Sequence, residues 1–291
     1  MTVRKDDQQI RLALPKGRMS EGVISLLDDA GIRLRAGARA YRPEISLPGL
    51  AAKTLKPQAI VKMLQVGSRD LGFTGADWVA EFGGGVVELL DTGLDPVRVV
   101  AAAPVENLVE GLLADEPLIV ASEFERITND WIRRRGLRAT FLRSFGATEV
   151  YPPEDADCIV DVVATGATLK ANHLNVVEEL MTSSTRLYAS PAALNDAAMR
   201  RRIDGFVMLL ESVLEARRRV MVEVNVSADA MERVVAKLPC MREPTIAPLH
   251  GHHGYAVKVA VRREELPDLI PRIKALGGTD IVVSELSQIV P

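Results

Sequence analysis

Short apolar runs alternate with amphipathic stretches along most of the chain, and turn residues mark where one gives way to the other. Residues 10–14 form an apolar run that predicts a strand. Pro15-Lys16-Gly17-Arg18 turns it into a helix predicted over 20–30 and closed by Gly31. Lys56-Pro57 opens a second helix, with proline at a favoured first position and Gly67 beyond the end. Residues 70–73 read as a strand leading into Thr74-Gly75-Ala76-Asp77, and Trp78, Val79 and Phe82 give the next helix an apolar face. Residues 97–103 predict a buried strand with one charged residue, Arg98, inside it. Strands are expected at 118–121, 139–142 and 185–189, with a helix over about 125–135.

The last third has a pattern of its own. Residues 191–219 read as helix, interrupted around Asp204-Gly205. Val220, Val222, Val224 and Val226 share one face of a strand. A helix at 228–238 follows, then strands at 243–249 and 255–261, a helix at 266–276 closed by Gly277, and strand segments at 280–283 and 286–290. The order βαββαβ is ferredoxin-like. A domain of this kind with no obvious catalytic group often binds a small regulator, which is an analogy of fold only.

Composition narrows the class. A chain of 291 residues suggests two or three domains. Its 47% hydrophobic and 26% charged residues are ordinary for a soluble globular protein. The net charge of −3 gives no electrostatic reason to expect nucleic acid. The basic runs at 133–135, 200–202 and 217–219 lie in expected helices and read as solvated faces. Cys158 and Cys240 fall in different expected domains and support neither a disulfide framework nor a zinc site. Residues 1–9 are polar and no run approaches a membrane span, so a cytoplasmic location is expected. His250, His252 and His253 crowd one expected hairpin tip and read as a solvated turn rather than a metal site.

The chemistry concentrates at residues 157–169, Asp-Cys-Ile-Val-Asp-Val-Val-Ala-Thr-Gly-Ala-Thr-Leu. A buried strand, a turn of small residues and a helix start aim free backbone N–H groups at an anion. Gly166 permits φ > 0 or close approach of a ligand. The Thr165 and Thr168 hydroxyls can donate to phosphate oxygens. Asp161, at the strand end, can hold a ribose hydroxyl or a metal-bound water. The alternative is an ordinary strand–turn–helix capped by threonine. Neither a P-loop nor a dinucleotide fingerprint fits the glycine spacing.

Residues 156–169 closely resemble the phosphoribosyl-diphosphate (PRPP) loop of the ATP phosphoribosyltransferases, which open histidine biosynthesis. Val160, in place of a second acid before Asp161, separates the loop from that of nucleobase phosphoribosyltransferases. Three more stretches agree: Leu14-Pro15-Lys16-Gly17-Arg18, Leu71-Gly72-Phe73-Thr74-Gly75-Ala76-Asp77 and Glu243-Pro244-Thr245-Ile246-Ala247-Pro248-Leu249. The match spans nearly the whole chain, including the C-terminal domain of the family's long form. Lys56 and Ala59 depart from the family's usual Arg and Asp, and Glu125 from a common Pro.

The resemblance implies an α/β fold, with a bilobal periplasmic-binding-protein-like catalytic part and a C-terminal ferredoxin-like regulatory domain. Lobe I would take residues 1–98 and 187–216, lobe II 99–186 with the PRPP loop, and the regulatory domain 217–291. The implied reaction joins N1 of ATP to C1 of the PRPP ribose and releases diphosphate, with Mg²⁺ on the diphosphate. Glu149, Asp161, Ala164, Thr165, Gly166, Ala167 and Thr168 would hold PRPP. Lys16, Gly17, Arg18, Lys56, Thr74, Gly75, Asp77 and Arg98 would face ATP and diphosphate, and no general base is assigned. L-histidine would inhibit through Asn225, Thr245 and Asp280, in a homo-oligomer between dimer and hexamer. A solute-binding protein of the same bilobal fold and a nucleobase phosphoribosyltransferase are the alternatives.

Overall fold

The computed structural model describes residues 9–39, 41–113, 116–241, 243–251 and 253–290. The described residues divide into two compact units, those within 1–25 with 32–203 and those within 26–31 with 204–291. The expectations placed on residues 1–8 and on His252 lie outside the described residues.

The first unit opens with β1 (Ile10–Pro15), whose residues are nearly all buried, and α1 (Met19–Asp29). Gly31, at φ +77°, turns the chain past the helix end as expected. A hairpin of β2 (Leu34–Arg39) and β3 (Arg42–Ile45) follows, then β4 (Leu50–Leu55) beside β1 in parallel. The helix α2 (Pro57–Gln65) starts at the expected proline. It feeds β5 (Leu71–Gly75) and the short helix α3 (Ala76–Glu81). The strand β6 (Val87–Pro104) is much longer than its apolar core, because its first half runs half-exposed alongside a later strand. After a small ribbon of β7 (Leu108–Val109) and β8 (Leu112–Leu113) come β9 (Leu118–Ser122), α4 (Glu125–Arg135) and β10 (Ala139–Arg143). The strand β11 (Cys158–Val163), the five-residue helix α5 (Ala167–Ala171) and the long β12 (Leu174–Ala189) complete the sheet.

These strands form one eight-stranded sheet, ordered β10-β9-β11-β6-β12-β5-β1-β4. Each end is a parallel α/β half, one built on β1, β4 and β5, the other on β9, β10 and β11. The antiparallel pair β6 and β12 joins them, and its register slips several times between Val176 and Tyr188. Such slips bend and twist a ribbon, which separates the halves and leaves a cleft.

The apolar run in β6 is buried on both faces. Val99, Ala101 and Ala103 pack with Val120, Trp131, Cys158 and Val160, while Val100 and Ala102 pack with Ile159, Val163 and Leu169. A strand covered on both sides needs no alternation, which is why the sequence shows a run. Arg98 differs from the buried placement its neighbours suggested. Its side chain is exposed and pairs with Glu179 of β12 at 3.3 Å.

After α6 (Pro191–Leu194), α7 (Ala197–Arg218) runs without a break through Asp204-Gly205, contrary to expectation. A glycine lowers helix propensity by only about 1 kcal/mol, so the 22-residue helix tolerates it. The break falls at Asn195-Asp196, where the Asp196 carboxylate accepts the N–H groups of Ala198 and Met199, both at 2.8 Å.

The second unit holds β13 (Arg219–Val226), α8 (Ala228–Val235), β14 (Thr245–Pro248), β15 (Tyr255–Arg262), α9 (Leu266–Ala275) and β16 (Thr279–Glu285). The four strands are antiparallel in the order β14-β15-β13-β16, which is the ferredoxin-like arrangement. Val220, Val222, Val224 and Val226 bury one face against Val234, Leu238, Leu269 and Ile273 of the helical side. The strand expected at 286–290 is absent, since β16 ends at Glu285. There Ile289 donates its N–H to the Ser212 carbonyl instead of to a neighbouring strand.

Candidate active site

The strand β11 is positioned by its neighbours rather than by its own side chains. It pairs with β6 on one side and β9 on the other. The Ser122 hydroxyl donates to the Val160 carbonyl at 2.6 Å and accepts the Phe124 N–H at 2.9 Å. This fixes where β11 ends and the small-residue turn begins. Gly166 sits there at φ +81°, in the left-handed region, as the residue before α5. The first-turn amides of Ala167, Thr168 and Leu169 have no acceptor within α5. Thr165 Oγ1 accepts the Ala167 N–H only at 3.4 Å, so that amide stays largely open.

A cavity of about 300 Å³ lies against this turn. Residues 161–169 line it, together with Glu149, Val97 and Arg18. Arg18 comes from the β1 half and the turn from the β11 half, so the cavity occupies the cleft between them. Glu149 reaches it through a short turn at Thr148–Val150 that starts from Ala147 at φ +48°. The buried hydroxyls of Ser144 and Thr148, 2.8 Å apart, brace that turn.

The electrostatics are mixed by design of position. Arg18 brings positive charge and Glu149 and Asp161 bring negative charge to one cavity. Burial pushes the Asp161 carboxyl up to about 6, aided by the negative charges of Glu149 and Glu123 and opposed by the Val162 N–H it accepts. Asp77, almost fully buried, is also raised by burial, while Trp78 N–H, the Ser183 hydroxyl and the Arg18 charge act to lower it.

The remaining expected residues fall into separate places. Lys16 lies over the Tyr41 ring, with Nζ 3.5 Å from its centroid. Gly17 has φ +76° at the start of α1, and nothing within 4 Å of where a Cβ would stand. Thr74 is buried and donates to the Pro57 carbonyl at 3.2 Å, which sets it beside Lys56 at the start of α2. Gly75 precedes α3, and a Cβ there would strike the Asp77 carboxylate. Arg98 meets Glu179. In the second unit Asn225 and Asp280 come together, the amide donating to the carboxylate at 3.0 Å. Thr245 lies in a different groove of about 400 Å³, with Met221, Glu243, Lys258 and Ile289. Sequence reasoning passed over Val97 and the approach of Glu123 to Asp161; only the strand pairing brings both near the loop.

Among the described residues no three His, Cys, Asp or Glu side chains gather as a metal site. His250 and His253 are exposed. Among the described residues no helix is long and apolar enough to cross a membrane.

A small-residue turn at a strand end faces an arginine across the cleft of a two-lobed α/β sheet, an arrangement that suits an anionic ligand. The ATP phosphoribosyltransferase (HisG) family pattern matches residues 56–212, and the pattern of that family's C-terminal domain matches residues 216–288. The chain belongs to the ATP phosphoribosyltransferase family, enzymes of the first step of histidine biosynthesis. The ATP phosphoribosyltransferase of Pelotomaculum thermopropionicum is 33% identical over 97% of this chain and 100% of its own length. That of Chlorobium phaeobacteroides is 32% identical over 97% of both. The ATP phosphoribosyl transferase (HisG:HisZ) complex from Thermotoga maritima contains a chain similar in fold, with a TM-score of 0.64 and 24% identity. That likeness covers 71% of this chain and 99% of the other. Near-complete alignment to enzymes of this one activity sets aside both the solute-binding and the nucleobase-transferring alternatives.

Proposed function

We propose that the cavity beside the Ala164–Thr168 turn is the PRPP site of this transferase, and that the family's reaction proceeds there. The observation that carries the reading is the meeting of Arg18 with the turn and with Asp161 in one cleft. The 5′-phosphate is assigned to the amides and hydroxyls of residues 164–168, and the ribose hydroxyls to Asp161 with Glu149 beside it. Arg18 faces the diphosphate, with Lys16, Gly17, Lys56, Thr74, Gly75, Asp77 and Arg98 disposed around the starts of α1, α2 and α3 and the joining strands.

In the reaction N1 of ATP supplies the electron pair of a new bond to ribose C1. The C1–O bond to diphosphate breaks, and its electrons leave with the diphosphate. Adenine N1 has a free lone pair for the attack, and no general base is assigned. What the chain contributes is alignment of the two substrates and charge opposite the leaving group. The carboxylates of Asp161 and Glu149 fit a hydrated cation better than direct ligation, since among the described residues no third His, Cys, Asp or Glu gathers with them. Mg²⁺ carried on the diphosphate would supply further positive charge to the departing oxygens.

The ferredoxin-like part of the second unit, residues 217–291, is assigned as the regulatory domain for L-histidine, with Asn225, Thr245 and Asp280 as contacts. Residues 1–98 with 187–216, and 99–186, are taken as the catalytic lobes. The assembly is read as a homo-oligomer between dimer and hexamer, supported by exposed Ile246 on the edge strand β14 and Val282 and Val283 on the edge strand β16. A cytoplasmic location agrees with the pathway.

The test is release of diphosphate from PRPP with ATP or free adenine as acceptor. Release with ATP alone supports the reading. Release with adenine alone, or with neither, removes it.

A further inference from the structure

The two halves of the first unit also touch where α3 meets α4. The helix α4 has no side-chain cap of its own, because Phe124 stands at its N-cap. The cap comes from the opposite half. Glu81, the last residue of α3 and 8% exposed, accepts the Arg126 N–H at 3.0 Å and the Ile127 N–H at 3.1 Å. Next to it the Trp78 and Phe124 rings lie 4.5 Å apart, centroid to centroid. A carboxylate shared by two first-turn amides is a strong, directional tie.

Both ends of this tie lead to the cavity. From α4, the Phe124 N–H and the Ser122 hydroxyl connect to the Val160 carbonyl, one residue before Asp161. At the other end of α3, Asp77 donates its N–H to Ser183 Oγ at 3.1 Å, and its carboxyl feels the charge of Arg18. The helix between is six residues long, a strut of about 9 Å at helical rise.

We propose that Glu81 is a positioning residue: by capping α4 from the opposite half, it sets the distance between Arg18 and the phosphate-binding turn. The proposal rests on the cavity being the PRPP site. Glu81 is not among the residues that line the cavity. It fixes how far apart the two halves of the site stand, so its loss is felt as misalignment. Glutamine in its place presents an NH₂ group to N–H donors and keeps only one good acceptor.

The experiment measures KM for PRPP, kcat and thermal stability in the full-length wild type, Glu81→Gln, and Val222→Ala. The last removes apolar volume from the second unit's core and serves as a destabilised control. Glu81→Gln is expected to raise KM for PRPP about tenfold and to lower kcat, since sub-ångström to ångström displacements cost that much in an aligned transfer. Val222→Ala is expected to melt earlier with KM unchanged. The chain has two tryptophans, so in a Trp131→Phe background Trp78 alone reports on the junction. Its emission is expected to respond to PRPP in the otherwise native protein and to lose that response with Glu81→Gln. Should Glu81→Gln fail to fold, Glu81→Asp keeps the charge one methylene short and is expected to raise KM by a smaller factor. An active wild type whose Glu81 variants keep native KM and kcat overturns the role of Glu81. A wild type that releases no diphosphate from PRPP overturns the site on which it rests.

Discussion

The Arg18 guanidinium donates to the Asp95 carbonyl at 2.9 Å and stands 4.0 Å from the Asp95 carboxylate. Asp95 itself lies at φ +48°, and its carboxylate accepts the Thr185 hydroxyl at 2.9 Å. The arginine is thus moored to the irregular stretch of the two joining strands and turned toward the cavity. Its guanidinium has donors left for a diphosphate, so Arg18→Ala should lower kcat/KM by about 10- to 100-fold, the loss of one charge-assisted contact. Arg18→Lys keeps the charge without the planar fork and should fall between. Melting should hardly change, because the side chain is 41% exposed. Native kcat/KM in Arg18→Ala would remove Arg18 from the site.

Gly166 tests the turn. A Cβ there meets only Val163 Cγ1, at 3.8 Å, so crowding is not the obstacle. The obstacle is φ +81°, which costs an L-residue about 1–2 kcal/mol and is worse for a β-branched one. Gly166→Val should therefore swing the turn to another conformation, and PRPP affinity should fall by more than about tenfold with the fold intact. Calorimetric titration of PRPP into the variant decides it; a native dissociation constant refutes the assignment.

Much of this was legible in the sequence, for definite reasons. The turn at Ala164–Thr168 is local, so its glycine, threonines and flanking strand sit together in the chain and in space. The valine alternation of β13 and the helices on either side sufficed for the ferredoxin-like unit. What escaped was set by pairing at long range. The half-exposed first part of β6 is a strand only because β12 lies beside it. Arg98 looked buried because its neighbours are, yet at the point where β6 pairs with Thr182 its side chain reaches solvent and Glu179. Glu81 as a cap for α4 joins residues 45 positions apart and leaves no trace in either segment. At Asp204-Gly205 a local breaker signal was overruled by the burial of Ile203, Phe206 and Leu210 around it.

Asp161 links function to pH. Its carboxyl is raised from 3.8 to about 6, chiefly by burial. A raised carboxyl stabilises the fold fully only below about pH 4, where it is protonated in both states, and that contribution is lost as pH rises through about 6. Asp161→Asn removes the ionisation, so the variant should melt higher than the wild type at about pH 8, and the gap should close toward pH 4. PRPP binding should move the opposite way, abolished or sharply weakened in Asp161→Asn. In the wild type it should strengthen as pH rises through about 6, where the carboxylate forms. Melting curves and PRPP titrations across that range test both; a wild type melting above Asp161→Asn at alkaline pH contradicts the burial argument.

Asn225 and Asp280 meet across β13 and β16, and the Thr279 hydroxyl donates to the Asn225 carbonyl at 3.3 Å. Asp280 is held at φ +48°, a conformation acids and amides tolerate better than most residues. The neutral amide of Asn225 brings no charge, so the carboxylate of Asp280 is what can pair with a ligand's ammonium group. Thr245 lies apart from this pair. In the cross-strand rows Thr245 is level with Lys258 and Glu223, which are joined at 2.9 Å, and Asn225 is two residues further along β13. An amino acid inhibitor that uses both positions must lie along the open sheet face over that ion pair. Asp280→Asn and Thr245→Ala should then each weaken inhibition by L-histidine, by about 1–3 kcal/mol of coupling at most, without lowering uninhibited activity. Asp280→Asn should have the larger effect, because it removes the charge. Initial rates at rising L-histidine, in the intact wild type and the two variants, give the answer. No inhibition of the wild type, or equal inhibition of all three, would refute this placement of the regulator.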